Sequence, residues 1–220
     1  MPHYAPLTER KERVSLALSN QGIDATFITD EPDSFFNECY FKDESFWNFK
    51  NSFLDYGTHI PFRDLKKSDI SLIYKHWKIL NLISSSNEED EYCLVLEDDV
   101  ILDDNFLNKC TSNLKSTPEN WDLIFIGSGC NLRIHPSYIR EGQIAYLKGH
   151  PATKCTDSFF IKKKAASLIA ATFLPYVLPI DFELNYQLYL HKMNVYWWEP
   201  PLVTQGSETG LYKSTARCDF

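Results

Sequence analysis

The sequence predicts an α/β fold built on a mostly parallel central sheet, and three observations lead there. Tyr92 to Leu96 is a continuous apolar run of strand length, the pattern of a strand buried on both faces. A helical stripe at Phe106, Leu107, Cys110 and Leu114 follows it and hands the chain to a further strand, Trp121 to Ile126. The same alternation resumes in the second half, and alternation of strand and helix is how chains build parallel sheets covered by helices.

From the N-terminus, His3 to Leu7 reads as a short strand. Thr8 to Gln21 is helical, with Val14, Ala17 and Leu18 on one face and Gly22 as its stop, and Ala25 to Thr29 reads as a second strand. Residues 33–62 carry ten aromatic side chains without a clean period, which reads as an irregular, packed excursion. Ser68 to Ile83 is a helix, because Ile70, Ile73, Trp77 and Leu80 repeat at the spacing of a buried stripe and Ser68 has the chemistry of an N-cap. The polar stretch Ser84 to Glu91 is a loop. After Ile126 the chain offers strands at Gln143 to Leu147 and Ser158 to Ile161, a helix from Lys163 to Phe173, another from Asp181 to about His191, and a closing strand at Val195 to Trp198. No internal repeat is visible, so residues 1–220 are expected to form one domain with its excursion at about 33–62.

Composition narrows the function classes. A chain of 220 residues can bury a core unaided, and a formal net charge of −8 lacks the basic face that nucleic-acid binding needs. Eight glycines, with no GxGxxG or GxxxxGK[ST] string, exclude a glycine-rich phosphate cradle. Cys39, Cys93, Cys110, Cys130, Cys155 and Cys218 lie at wide intervals without a CxxC pair, so they read as reduced, buried thiols. The opening MPHYAPLTERKER lacks the apolar core of a signal peptide. The longest uncharged run, Ala165 to Ile180, is too short for a bilayer and is broken by Pro175 and Pro179. A soluble cytoplasmic protein without a transmembrane segment is expected, with peripheral membrane association left open.

Two constellations carry chemistry. Glu97, Asp98 and Asp99 follow the Tyr92–Leu96 strand directly. Three adjacent carboxylates repel one another unless a cation offsets them, and Mg²⁺ or Mn²⁺ held by one or two carboxylates completes its shell with water and substrate phosphates. Ligands of open α/β sheets bind beyond the carboxyl ends of the strands, where these acids lie. A solvated acidic turn that follows a strand is the alternative to metal binding. Receiver domains of response regulators also place acids after an apolar strand, but they need an aspartate ending a later strand, and here Asp122 to Gly127 ends in glycine. The second constellation is Val177 to Glu183, where Asp181 opens a helix after Pro179. It serves either the helix dipole or, as a general base, an acceptor hydroxyl that must lose its proton. Arg10 and Arg13, one helical turn apart, are either solvated charges or holders of a diphosphate. His76 beside its apolar stripe reads as a packed or capping histidine.

Six fragments in order resemble glycosyltransferase family 25, which includes lipopolysaccharide and collagen β-galactosyltransferases. Pro6-Leu7-Thr8 through Arg10 and Arg13 resembles its opening "NL..R..R" turn, with Pro6 in place of Asn. Ser71 to Trp77 is similar to its "SH...W" helix without the Ser-His adjacency, and Leu96 to Val100 matches its acidic motif. Thr156 to Ile161 with Ala165 and Ala166, Pro179-Ile180-Asp181, and Pro201 to Gln205 complete the set. The resemblance implies a GT-A, Rossmann-like α/β/α sandwich with a mostly parallel sheet. It also implies an inverting, metal-dependent transferase that moves a hexose from a nucleotide diphosphate sugar to a hydroxyl of a glycan or glycoprotein. UDP is favoured over GDP, and galactose over glucose, on the resemblance alone. In that frame Glu97 and Asp99 would hold Mn²⁺ or Mg²⁺, and Asp181 would be the catalytic base. Pro6, Arg10, Arg13, Asp98 and Gln205 would bind the donor. Gln205 to Ser207 contains no histidine, so no metal ligand of that type is available there. A catalytically silent relative that binds a glycan or a partner is the alternative.

Overall fold

The computed structural model describes residues 1–54, 60–87, 91–148 and 155–212. Tyr56 of the aromatic segment, part of the acidic loop before Tyr92, and Cys218 lie outside the described residues.

Seven helices and seven strands are described: α1 (Thr8–Ser19), α2 (Ser34–Glu38), α3 (Glu44–Asn51), α4 (Lys67–Ser85), β1 (Tyr92–Leu96), β2 (Val100–Leu102), α5 (Phe106–Ser116), β3 (Leu123–Phe125), β4 (Ala145–Leu147), β5 (Ser158–Lys162), α6 (Lys163–Thr172), α7 (Ile180–Leu190), β6 (Val195–Trp198) and β7 (Val203–Gln205). The central sheet runs β1-β5-β3-β6-β4, and β2 pairs with β7 in a separate ribbon.

The α/β expectation holds, but the mostly parallel sheet does not. Only β3 and β6 run parallel, while β1–β5, β5–β3 and β6–β4 are antiparallel. The physical reason lies in how the strands are covered. Val95, Leu123, Phe125, Phe159, Ile161, Val195 and Trp197 enter one core with residues of α2, α3, α4, α6 and α7. Their alternates Leu96, Ile124, Phe160, Tyr196 and Trp198 enter a second core with α1 and α5. Side chains of a strand alternate between faces, so a sheet with apolar cores on both faces reads as continuous apolar runs whatever its strand direction.

Other expectations shift in instructive ways. His3 to Leu7 and Ala25 to Thr29 form no strands, and that region contributes a single parallel bridge, Pro2 to Ile28. α4 begins at Lys67 rather than after a Ser68 cap, with the Asp69 carboxylate accepting from the Lys66 N–H at 2.8 Å. The aromatic excursion contains two short helices, each opened by an aspartate: Asp33 accepts from Phe36 N at 2.8 Å and Asp43 from Phe46 N at 2.7 Å. Such caps typically contribute about 0.5–2 kcal/mol. The cysteines are less buried than expected: Cys110 is buried, Cys39 and Cys155 are half-buried, and Cys93 and Cys130 are exposed.

The excursion is tied to the body by Phe36 and Trp47, both fully buried, and by an ion pair. Lys50 of α3 donates to Glu183 of α7 and to the Pro175 carbonyl at 3.2 Å, with both charged side chains buried. The other Glu183 oxygen accepts from Val177 N at 3.4 Å and Leu178 N at 3.3 Å. Glu183 therefore anchors the start of α7 and is unavailable to an acceptor. Lys50→Met leaves a buried carboxylate without its cation and is expected to cost about 3–5 kcal/mol in chemical denaturation. Lys50→Met with Glu183→Gln should recover much of that loss, because glutamine still accepts from Val177 and Leu178.

Candidate active site

Strand direction decides which residues meet at the end of the sheet. β1 ends at Leu96, opposite Ser158, the first residue of β5. The Glu97 N–H donates to the Asp157 carbonyl at 2.8 Å, so the acids after β1 lie beside the residues that precede β5. Thr156, almost fully buried, places its hydroxyl 2.8 Å from Glu97 Oε1 and 3.1 Å from Asp181 Oδ1. Asp181 arrives on the first turn of α7, with Pro179 at its N-cap. Acids from two distant parts of the chain thus share one hydroxyl.

A cavity of about 1100 Å³ opens over these groups. Its walls include Glu97, Asp98, Asp99 and Asp181, together with Arg10 of α1, Lys67, Ser71 and Lys75 of α4, Ser128 and Cys130 after β3, and Gln205 and Ser207 at the end of β7. Pro6 and Arg13 do not line it. Pro6 is exposed, and the Arg13 guanidinium stands 5.6 Å from the ring centre of Tyr212. Arg10 lies over the same ring at 4.8 Å and reaches Asp98 at 3.5 Å. Gly206 makes that arrangement fit, since a β-carbon there would stand 2.7 Å from the Tyr212 ring and 2.9 Å from the Asp99 carbonyl oxygen. Gly127, shortly after β3, is required more stringently. A β-carbon would lie 1.9 Å from Asp157 Oδ2, so the buried Asp157 packs directly on this backbone and is not part of the cavity wall.

His3 is a site residue that the sequence did not disclose. Its Nδ1 lies 2.7 Å from Asp98 Oδ2 and the ring is buried, so Asp98 is held by His3 on one oxygen and approached by Arg10 on the other. A lone histidine ahead of the first helix carries no spacing signal. His76 is a packed histidine: burial pushes it down to about 4, and Nδ1 lies 3.0 Å from the Leu72 carbonyl oxygen.

The electrostatics are dominated by buried carboxyls. Burial raises Glu97 well above the ordinary carboxylate range, and Asp99, Asp181 and Asp157 add to it. Asp99 is raised by burial while Ser207 and Arg10 pull the other way, and among the described residues its buried Oδ1 has no hydrogen-bond partner. Burial also raises Asp181, against the hydrogen bonds from Thr156. An orphaned carboxylate oxygen beside a second raised carboxyl is a donor set that suits a hard divalent cation. Among the described residues no group of three or more His, Cys, Asp or Glu side chains is arranged to hold a metal by itself. Glu97 and Asp99 are the two carboxyls of this wall whose chemistry suits such a cation.

The glycosyltransferase family 25 (LPS biosynthesis protein) model matches residues 7–132, more than half of the chain. The chain belongs to that family. It is a glycosyltransferase, and accordingly acts between a sugar donor and an acceptor. The matched family 25 segment contains Arg10, Arg13 and the three consecutive acids, and stops before Thr156, Asp181 and Gln205. Those later residues meet the matched segment through the fold, by lining the same cavity or contacting its acids. Comparison with curated proteins returned no match. Among the described residues no helix is long and apolar enough to cross a membrane.

The raised Glu97 carboxyl has a measurable consequence for the ligand-free protein. Folding binds its proton more tightly than the unfolded chain does, whose ordinary value is 4.5. Stability from this group is fully present below that value and is lost as pH rises through the folded value. Glu97→Gln is expected to raise Tm at pH 7–8 by about 2–4 °C, the shift that about 1 kcal/mol produces in a domain of this size. The advantage should shrink toward zero below pH 4, as followed by thermal denaturation across pH.

Proposed function

We propose that this chain is an inverting hexosyltransferase of the GT-A type, dependent on Mn²⁺ or Mg²⁺. It transfers a hexose from a nucleotide diphosphate sugar, UDP-linked by preference, to a hydroxyl of a glycan or glycoprotein. The observation that carries this reading is the convergence of Glu97, Asp99 and Asp181 on one cavity, with Thr156 bonded between the first and the last. The GT-A assignment rests on the acidic motif directly after β1 and on helices covering both faces of the sheet, rather than on strand direction. Intact acids at all three positions, in a family of glycosyltransferases, speak for catalysis over silent glycan binding.

Each residue has a role that its surroundings support. Glu97 and Asp99 would hold the cation, which when bound supplies positive charge against the donor diphosphate as it leaves. Arg10 stands on the same wall and supplies a further cation toward the donor, while Asp98, engaged by His3, fixes that wall. Gln205 and Ser207 close the donor side at the end of β7. Asp181 accepts the proton of the attacking acceptor hydroxyl. Partial burial raises its pKa toward the working pH, which makes it a better matched base than a solvated carboxylate. Thr156 holds that carboxylate in place from behind the cavity wall.

Two variants separate binding from chemistry. Asp181→Asn should retain UDP and Mn²⁺ binding and lose about 10²- to 10⁴-fold in kcat, the usual range for a general base. Asp99→Asn should lose the Mn²⁺-dependent part of UDP binding. In a thermal-shift measurement, UDP at 100 times its Kd in the presence of Mn²⁺ adds about 2.7 kcal/mol to the unaltered protein. Near-normal turnover in the Asp181 variant, or an undiminished Mn²⁺-dependent shift in the Asp99 variant, would overturn the corresponding role.

A further inference from the structure

Cys130 and Cys155 have no part in the chemistry above, yet the fold brings them together at the rim of the same cavity. Cys130 lies in the 3₁₀ turn Gly129–Asn131 after β3, and Cys155 lies shortly before β5. Both line the cavity, Cys130 exposed and Cys155 half-buried. Their sulfurs are 3.0 Å apart. Both residues also adopt left-handed backbone, with φ of 53° at Cys130 and 64° at Cys155. A β-carbon makes that conformation costly, and such strain persists only where the surrounding structure imposes it. The pair is therefore positioned by the fold, and a disulfide of about 2.05 Å needs the sulfurs to close by only about 1 Å.

We propose that Cys130 and Cys155 form a thiol–disulfide modification site at the rim of the active-site cavity, with a low-molecular-weight disulfide such as glutathione disulfide as the oxidant. The exposed Cys130 attacks first. Its thiolate displaces one glutathione thiolate and forms a mixed disulfide between Cys130 and glutathione. Cys155, as its thiolate, then attacks the Cys130 sulfur and releases the second glutathione. Two protein thiols are oxidised, one glutathione disulfide is reduced to two glutathiones, and the protons lost by the cysteines end on the two released thiolates. The order follows from the surroundings. Cys155 is less accessible, and its thiol is pushed up by the hydrogen bond with Cys130, by burial and by the Asp181 carboxylate, so it suits the resolving role.

The bridge has a structural consequence because Cys155 directly precedes Thr156, whose hydroxyl contacts Glu97 and Asp181. Oxidation would tether the turn after β3 to the segment that positions those acids. None of this depends on which sugar or nucleotide the enzyme uses.

The test uses the full chain carrying Cys93→Ser, which removes the other exposed cysteine among the described residues. The protein is equilibrated with increasing ratios of glutathione disulfide to glutathione, quenched with acid, alkylated, and mapped by mass spectrometry without reduction. Expected is the loss of two thiols together, no retained glutathione, and one cross-linked peptide pair containing Cys130 and Cys155. Adding Cys155→Ser should trap a stable glutathione adduct on Cys130, while adding Cys130→Ser should leave Cys155 reduced at the same ratios. A glutathione adduct that persists on Cys130 when Cys155 is present would overturn the proposal. So would a bridge from either residue to a third cysteine, or no loss of thiol at any ratio.

Discussion

A single buried hydroxyl, that of Thr156, stands between the carboxylates of Glu97 and Asp181. A hydroxyl carries one proton, so it can donate to only one of them at a time. The fold nonetheless holds both acids there, with Asp99 close by and its Oδ1 orphaned. Left to itself this arrangement opposes folding, since burial and mutual repulsion raise the carboxyls it brings together. It persists because the scaffold is stable enough to hold it. Stability given up at one concentrated site is the usual mark of a place organised for a ligand.

Much of the remaining architecture serves to keep that hydroxyl in register. Antiparallel pairing of β1 with β5 puts the residues before β5 beside the acids after β1, and parallel pairing would have put Lys162 at that end instead. α7 supplies Asp181 on its first turn, and the buried Lys50–Glu183 pair fixes that turn to the aromatic segment. Phe36 and Trp47 anchor the segment in the core that also contains α4 and α6. The Arg10–Tyr212 stack over Gly206 and the His3–Asp98 contact hold the end of β7 and the N-terminus around the cavity.

What the sequence disclosed was what lies close together along it. Glu97, Asp98 and Asp99 are consecutive, and Pro179 marks the start of the helix that carries Asp181, so the acidic half of the site was legible from local pattern. Helices outside the aromatic segment were legible too, because apolar stripes such as that of α4 repeat at short range. Strand direction was not, since two apolar cores give antiparallel strands the composition of parallel ones. His3, the role of Thr156 and the Cys130–Cys155 pair were equally hidden. Each acts through a partner far along the chain and leaves no periodic trace. The two short helices opened by Asp33 and Asp43 were not legible, because the aromatic density around them hides any helical period.

The most direct test of the central claim, that the acids after β1 and Asp181 line one donor and acceptor site, is a crystal structure of the protein with UDP and Mn²⁺, with the metal located by anomalous scattering. The expected result is a single strong anomalous peak coordinated by Glu97 and Asp99 and by the UDP diphosphate, with the Asp181 carboxylate facing the open side of the same cavity. Well-ordered UDP bound elsewhere, or manganese at other acids while Glu97 and Asp99 stay uncoordinated, would contradict it.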